Sequence, residues 1–114
     1  MHELSIMQSI LSQLESIAAE HHLKRIKKVV IQIGDFRQCV PEFLQFAFET
    51  LTQQTVAEGA QLIIESIPIQ TECETCHHVF TISKQTFTCT HCNGTQLKLL
   101  SGKELILASV EGEQ

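Results

Sequence analysis

Residues 73–92 read CETCHHVFTISKQTFTCTHC, and this stretch decides how one part of the chain folds. It contains two Cys-x-x-Cys pairs, Cys73 with Cys76 and Cys89 with Cys92, separated by twelve residues. Each pair fits a tight turn on which both sulfur atoms point at one ion, and two such turns complete a tetrahedral shell. Without a secretion signal, paired Cys-x-x-Cys motifs favour a metal site over a disulfide framework. We therefore predict a zinc site formed by these four cysteines.

The segment around the cysteines, residues 71–102, contains few aliphatic residues and differs sharply from the rest of the chain. About thirty residues are too few to bury a core of their own, so we expect the metal to hold this segment together. Short strands are expected at 79–82 and 97–100, as in a zinc-ribbon-like module. Because four thiolates leave no coordination position for water, we expect a structural zinc ion, no catalytic residue and no enzymatic activity.

Three histidines, His77, His78 and His91, lie beside or between the cysteines. We interpret them as solvent-facing residues of a polar loop. The alternative is that one of them replaces a sulfur on the metal, since neutral imidazole is a good ligand, which would make the site responsive to pH or to a second metal. The fifth cysteine, Cys39, is interpreted as a small packed residue.

Outside this module, hydrophobic periodicity predicts two helices and three strands. The helices are expected at about 4–22 and 41–51, and the strands at 29–33, 62–67 and 104–110. The basic run from Lys24 to Lys28 is interpreted as a solvated turn, with docking of an acidic partner as the alternative. These elements predict an α+β fold in which two helices pack on a small mixed three-stranded sheet. The expected domains are 1–70, completed by a strand at 103–114, and the inserted zinc-ribbon-like module at 71–102.

Composition excludes several classes of partner. Thirteen acidic and eight basic residues give a formal net charge of −5, and the chain has six Phe but no Trp or Tyr. Nucleic-acid binding is disfavoured, because counterion release requires a basic face and base stacking requires aromatic platforms. The apolar runs are too short to span a membrane. The N-terminus lacks the charged and apolar regions of a signal peptide, so we expect a cytoplasmic protein.

A histidine at the second position is the unusual feature of the N-terminus. His2 places its imidazole, the α-amino group of Met1 and the intervening amide nitrogens within chelating reach of one metal ion. Such a nitrogen set is square-planar and suits Ni(II) or Cu(II) better than Zn(II). On position alone, however, most terminal histidines bind no metal, so this signal needs support from the rest of the chain.

That support comes from motifs distributed along the sequence, which together resemble the HypA/HybF family of nickel metallochaperones for NiFe-hydrogenase maturation. The matching segments are Met1-His2-Glu3-Leu4-Ser5, Ile33-Gly34, Pro41-Glu42-Phe43, Phe46-Ala47-Phe48-Glu49, Ala57-Glu58-Gly59-Ala60, the two Cys-x-x-Cys pairs and Gly102-Lys103-Glu104-Leu105. The second pair departs from the family, since it reads Cys-Thr-His-Cys where many members have Cys-Pro-x-Cys. Val40 has no side-chain donor atom, so no side-chain ligand is nominated from its loop.

The resemblance implies that His2 binds nickel, with the amine of Met1 and with Glu3 taking part through its amide. It implies a structural zinc on the four cysteines. It also implies partnership with the nickel-handling GTPase HypB, delivery of nickel to the NiFe-hydrogenase large subunit, a possible role with urease maturation proteins, and a monomer or weak homodimer. The alternative function is a zinc-ribbon protein-interaction or nucleic-acid-binding module, which accounts for the cysteines but leaves His2 unexplained. A metal-dependent hydrolase is a third alternative, but it would need an open coordination position.

Overall fold

The computed structural model describes residues 2–82 and 87–114. Its elements, in chain order, are α1 (His2–Glu20), β1 (Arg25–Gly34), a 3-10 turn (Asp35–Arg37), α2 (Pro41–Leu51), β2 (Gln61–Ile67), β3 (Gln70–Cys73), β4 (Val79–Thr81), β5 (Leu97–Ser101) and β6 (Leu105–Glu113). The strands form two three-stranded sheets, ordered β2-β1-β6 and β4-β3-β5. The α+β class, with two helices, a small three-stranded sheet and a cysteine module, is therefore confirmed.

The chain divides into two compact units. The first holds the residues through Gln32 together with Cys39–Glu65 and Ile106–Gln114, and so contains both helices. The second holds Ile33–Gln38 and Ser66–Leu105, and so contains all four clustered cysteines. Neither of the two α-helices that the structure describes has the length and apolar character needed to cross a bilayer.

Helix α1 forms because its apolar residues recur every three or four positions and bury one face. The buried members are Ile6, Met7, Ile10, Leu14 and Ala18. The helix begins at His2, two residues before the predicted start. It ends in a Schellman motif: His22 has a left-handed φ of 56°, and the N–H of Leu23 donates to the carbonyl of Ala18 at 2.9 Å. This motif is why the helix stops before His22.

Helix α2 begins at Pro41 as predicted, because proline suits the first helical turn and lacks the N–H that would have no partner there. Its buried residues are Leu44, Ala47 and Phe48. The apolar periodicity of α2 predicts that Phe43 is also buried, but this is wrong, since Phe43 is 57% exposed. At the other end, the carbonyl of Phe48 accepts two hydrogen bonds from Thr52, one from its N–H at 3.0 Å and one from its hydroxyl at 2.7 Å.

The basic run before the first strand was wrongly predicted to be a turn. Strand β1 starts at Arg25, Ile26 is fully buried, and from Lys28 to Ile33 half-buried and buried positions alternate. Lys27, on the exposed side, pairs with Glu113 of β6. Because every second residue of a strand faces the core, charged side chains between buried ones are compatible with a half-buried strand. The basic composition of the run had indicated a turn instead of a strand.

In the second unit, β3 pairs antiparallel with both β4 and β5. The two outer strands lie where the sequence predicted them, but the central strand β3 was not predicted, because Gln-Thr-Glu-Cys carries little apolar signal.

A close approach of two glycines also belongs to this unit. A Cβ at Gly34 would overlap the backbone carbonyl of Gly102, so only glycine fits there.

The first unit depends on the buried face of α1, and this gives a test. Leu14 is fully buried, so Leu14→Ala should lower the free energy of unfolding by about 2–5 kcal/mol through lost burial and a residual cavity. The neighbouring exposed substitution Gln13→Ala should change it by no more than about 0.5 kcal/mol. Urea denaturation followed by helical circular dichroism measures both, and equal effects would contradict the assigned core.

Candidate metal centres

Four cysteine sulfur atoms meet in the second unit. The sulfurs of Cys73, Cys76, Cys89 and Cys92 all lie within 4.8 Å of one another. Two of the distances are short, with Cys73 Sγ to Cys92 Sγ and Cys76 Sγ to Cys89 Sγ both at 3.6 Å. Tetrahedral zinc–thiolate bonds place sulfur atoms about 3.8 Å apart. The cluster therefore has the dimensions of a four-thiolate metal shell, as the spacing of the two pairs predicted.

The two Cys-x-x-Cys turns share one backbone design. In the first, the N–H of His77 donates to the carbonyl of Cys73 at 2.8 Å, and the N–H of Cys73 donates to the carbonyl of His78 at 2.9 Å. The residue that turns the chain, His77, has a left-handed φ of 62°. These two hydrogen bonds close the Cys73–Cys76 pair into a loop in which both sulfur atoms point inward.

The second turn repeats these bonds at the same spacing. The N–H of Asn93 donates to the carbonyl of Cys89 at 2.9 Å, and the N–H of Cys89 donates to the carbonyl of Gly94 at 2.8 Å. Asn93 has a left-handed φ of 61°, which asparagine tolerates better than most residues. The absence of the proline found in many relatives of this motif therefore leaves the hydrogen bonding of the turn intact.

Backbone N–H groups make two of the sulfurs more acidic. The pKa of Cys73 is lowered to about 6, chiefly by the N–H of Cys76. At Cys89, burial raises the pKa, but hydrogen bonds from the N–H groups of Cys92 and His91 outweigh it and the pKa is lowered. The N–H groups of His91 and Cys92 lie 3.3 and 3.4 Å from the Cys89 sulfur. These donors stabilise thiolates, the form that binds metal.

The pKa values of the other two thiols are raised. The backbone N–H of His78 lowers the pKa of Cys76, but burial and the neighbouring thiols raise it to about 12. The pKa of Cys92 is also raised, because the side chains of Cys73 and Cys89 together with burial outweigh the lowering by the backbone of Gly94. Four thiolates this close repel one another, and a bound dication is what allows all four to be deprotonated.

The three histidines lie around this cluster with exposed side chains. His77 Nδ1 is 3.2 Å from Glu72 Oε2. His78 stacks on Phe80 with ring centroids 5.9 Å apart, and its ring lies 5.4 Å from that of His91. None of the three joins the group of close ligand atoms found among the described residues. Exchange of a histidine onto the metal stays the alternative interpretation.

The second candidate centre is the start of α1. His2 is the first residue of the helix, and its side chain is 54% exposed. Met1, the other predicted member of this site, lies outside the described residues. Glu3 is buried, with its Oε1 atom 3.7 Å from His2 Nδ1. The first N–H groups of a helix have no intrahelical acceptor, so backbone nitrogens here are not committed to helix bonds.

The backbone of Val40 makes a contact with the start of α1 that side-chain reasoning could not find. Its backbone N–H donates to Glu3 Oε2 at 3.1 Å and ties the first turn of α1 to the residue before α2. This bond is the largest cause of the lowered pKa of Glu3, followed by the N–H of Glu3 itself, while burial opposes the shift. The carboxylate is held beside His2 by a backbone group. The one sequence feature that could have indicated this contact is the valine at the N-cap of α2, where it supplies no capping side chain.

This bond predicts the titration of Glu3. The pKa of Glu3 should lie below its ordinary value of 4.5, and Val40→Pro should raise it toward that value because proline has no N–H. Val40→Ala keeps the donor and should leave the pKa low. The φ of −91° at Val40 is near the range that proline adopts. Carbon-detected NMR titration of the Glu3 carboxyl group measures this, and an unshifted Val40→Pro protein would show that the bond is absent in solution.

The chain is similar to known proteins along almost its whole length. Residues 1–112 match the family model described as hydrogenase/urease nickel incorporation, metallochaperone, HypA. A hydrogenase maturation factor HypA from Desulfitobacterium hafniense is 36% identical over 114 residues, covering 100% of both chains. Another, from Caldanaerobacter subterraneus, is 37% identical over 99% of this chain and 100% of the relative.

Two solved structures share the fold. The solution structure of the Ni metallochaperone HypA from Helicobacter pylori aligns with a TM-score of 0.68 at 27% identity, covering 97% of each chain. A second solution structure of a HypA protein aligns with a TM-score of 0.71 at 29% identity, covering 98% of this chain and 96% of the other.

Proposed function

Because this chain belongs to the HypA family of nickel metallochaperones for hydrogenase maturation, we propose that it binds Ni(II) at its N-terminus and delivers it to the NiFe-hydrogenase large subunit. The observation that carries the proposal is the exposed imidazole of His2 at the first position of α1. The donors are the amine of Met1, the backbone nitrogens of His2 and Glu3, and the His2 imidazole. Amine, amide and imidazole nitrogens suit square-planar Ni(II).

The position of this site explains why the nickel is exchangeable. His2 opens a helix whose first N–H groups need no intrahelical acceptor, so nickel can take amide nitrogens without breaking the helix. The buried carboxylate of Glu3, fixed by the N–H of Val40, holds the backbone of this turn in place. A receiving protein can displace the ligands of an exposed chain end one at a time. Delivery therefore requires no enzymatic step in this chain.

The proposed partners follow from the family. They are the nickel-handling GTPase HypB and the hydrogenase large subunit, with urease maturation proteins as further recipients, and the chain acts as a monomer or weak homodimer. We place it in the cytoplasm, where reducing conditions keep metal-binding cysteines as thiols. In this assignment nickel is cargo, and zinc is the resident metal.

Zinc fits the cluster of Cys73, Cys76, Cys89 and Cys92 because four thiolates at tetrahedral spacing match its preferred shell. Its role is structural. The second unit has only short strands, and its fully buried side chains include Cys73 and Cys89, so the metal ligands themselves form part of its core. A closed shell leaves no position for a reacting water.

The zinc assignment predicts about one zinc ion per chain that survives dialysis. Cys73→Ser and Cys89→Ser should each lose it, and the β3, β4 and β5 amide signals should collapse while the helical circular dichroism persists, since α1 and α2 belong to the other unit. Cys39→Ser is the matched control, because Cys39 lies outside the cluster and should leave zinc content unchanged. Elemental analysis and NMR measure both, and loss of all helix with the zinc would contradict independent folding of the first unit.

The nickel assignment predicts one weakly held Ni(II) per chain with the d–d absorption of a square-planar site. His2→Ala should weaken nickel binding at least about tenfold and abolish that band, because an imidazole ligand is lost, while zinc content stays unchanged. His22→Ala, an exposed histidine elsewhere, is the control. Calorimetry and absorption spectroscopy on tag-free protein measure this.

Two further arms test the same site. One extra residue before Met1 should weaken nickel binding as strongly as His2→Ala, because the amine leaves the chelate ring. Acidification should release nickel as the nitrogen ligands take up protons. Undiminished binding by His2→Ala would move the site to His77, His78 and His91, and the N-terminal assignment would then be abandoned.

A further inference from the structure

A groove runs along the last strand in the first unit. It has a volume of about 770 Å³ and is lined by Ile17, His21, Leu23 and Gln114 together with the six consecutive residues Leu107–Gly112. A sheet face presents only every second residue of a strand. A cavity lined by consecutive residues therefore follows the edge of β6. We call it the β6 groove.

The outer edge of β6 is free to bind another strand. In its sheet, ordered β2-β1-β6, β6 is an edge strand, and among residues 2–82 and 87–114 no strand pairs with its outer side. Natural sheets protect such edges with proline, lysine or a very short strand. β6 has nine residues, contains no proline, lysine or arginine, and carries no charge from Leu105 to Val110. At the opposite edge, by contrast, β2 is followed directly by Pro68.

The charge around the groove is negative. The last turn of α1 contains no basic residue, so no side-chain charge of that turn offsets its partial negative charge, and Glu20 adds to it. Glu111 lines the groove and forms no ion pair among the described residues, whereas Glu113 is paired with Lys27. The nearby cations Lys24 and Arg25 line a different cleft, which they share with Glu58.

We propose that the β6 groove binds an extended, lysine- or arginine-containing segment of a partner protein, which adds to the sheet as a strand beside β6. Main-chain hydrogen bonds to the free edge provide affinity, as in other cases of strand addition. Alternate side chains of the segment pack against Ile17 and Leu107, and its cations face Glu111 and the end of α1. This site does not depend on nickel binding at His2, so each proposal can fail without the other.

The test uses the full zinc-loaded chain, labelled with 15N, and two capped hexapeptides, Lys-Val-Lys-Val-Lys-Val and Glu-Val-Glu-Val-Glu-Val, titrated to millimolar concentration. The lysine peptide should give saturable shifts at residues 106–112, Ile17 and Leu23, and should slow hydrogen exchange of β6 amides. The glutamate peptide should bind about threefold to tenfold more weakly, because its charges meet Glu111 and the end of α1.

A pair of variants tests the location of the charge effect. Glu111→Lys should weaken binding of the lysine peptide by about two- to fivefold. Glu49→Lys, an exposed position on α2, changes the net charge equally and should leave the affinity unchanged. Four results would each overturn the proposal: no binding, equal affinity for both peptides, shifts centred on β2, or β6 shifts that depend on protein concentration without peptide, which would assign the edge to a second copy.

Discussion

The second unit depends on four sulfur atoms meeting within 4.8 Å. Its strands have three to five residues each, too few to bury a core by themselves. Two hydrogen-bonded turns of identical design bring the sulfurs together, and N–H donors lower the pKa of Cys73 and Cys89 while burial and neighbouring thiols raise that of Cys76 and Cys92. A bound dication would stabilise all four thiolates at once, so we expect metal binding and the folding of this unit to be coupled.

The N-terminal centre uses a different principle. The first residues of any helix have N–H groups without intrahelical acceptors, and here the chain places a histidine at that position. The hydrogen bond from Val40 to Glu3 anchors the turn without using the His2 imidazole. In the proposed function, an exposed ligand on a stable backbone suits a metal that must be released, whereas a closed shell of four thiolates suits a metal that is retained. The proposal thus assigns cargo and structural metal to centres that differ in exposure and in ligand type.

The surface of the first unit carries apolar residues that helix periodicity alone assigns to the core. Phe43 belongs to the apolar pattern of α2 but is 57% exposed, and Phe46 is 69% exposed. Periodicity predicts which residues share a face, but not how wide a stripe the neighbouring elements cover. The same applies to β1, where a basic run concealed a strand, because burial of alternate residues is decided by partners far away in the chain.

The sequence alone determined the α+β class, the start of α2 at Pro41, the outer strands of the cysteine sheet and the four clustered cysteines, because each of these depends on local spacing or local backbone preference. The nickel ligands at His2 and its neighbours came from resemblance and remain a proposal. Only the tertiary structure revealed the bond from Val40 to Glu3, the polar strand β3 and the free edge of β6. Each of these depends on which backbone groups from distant parts of the chain are paired with one another. Every residue type carries the same backbone groups, so the side chains in the sequence do not indicate this pairing.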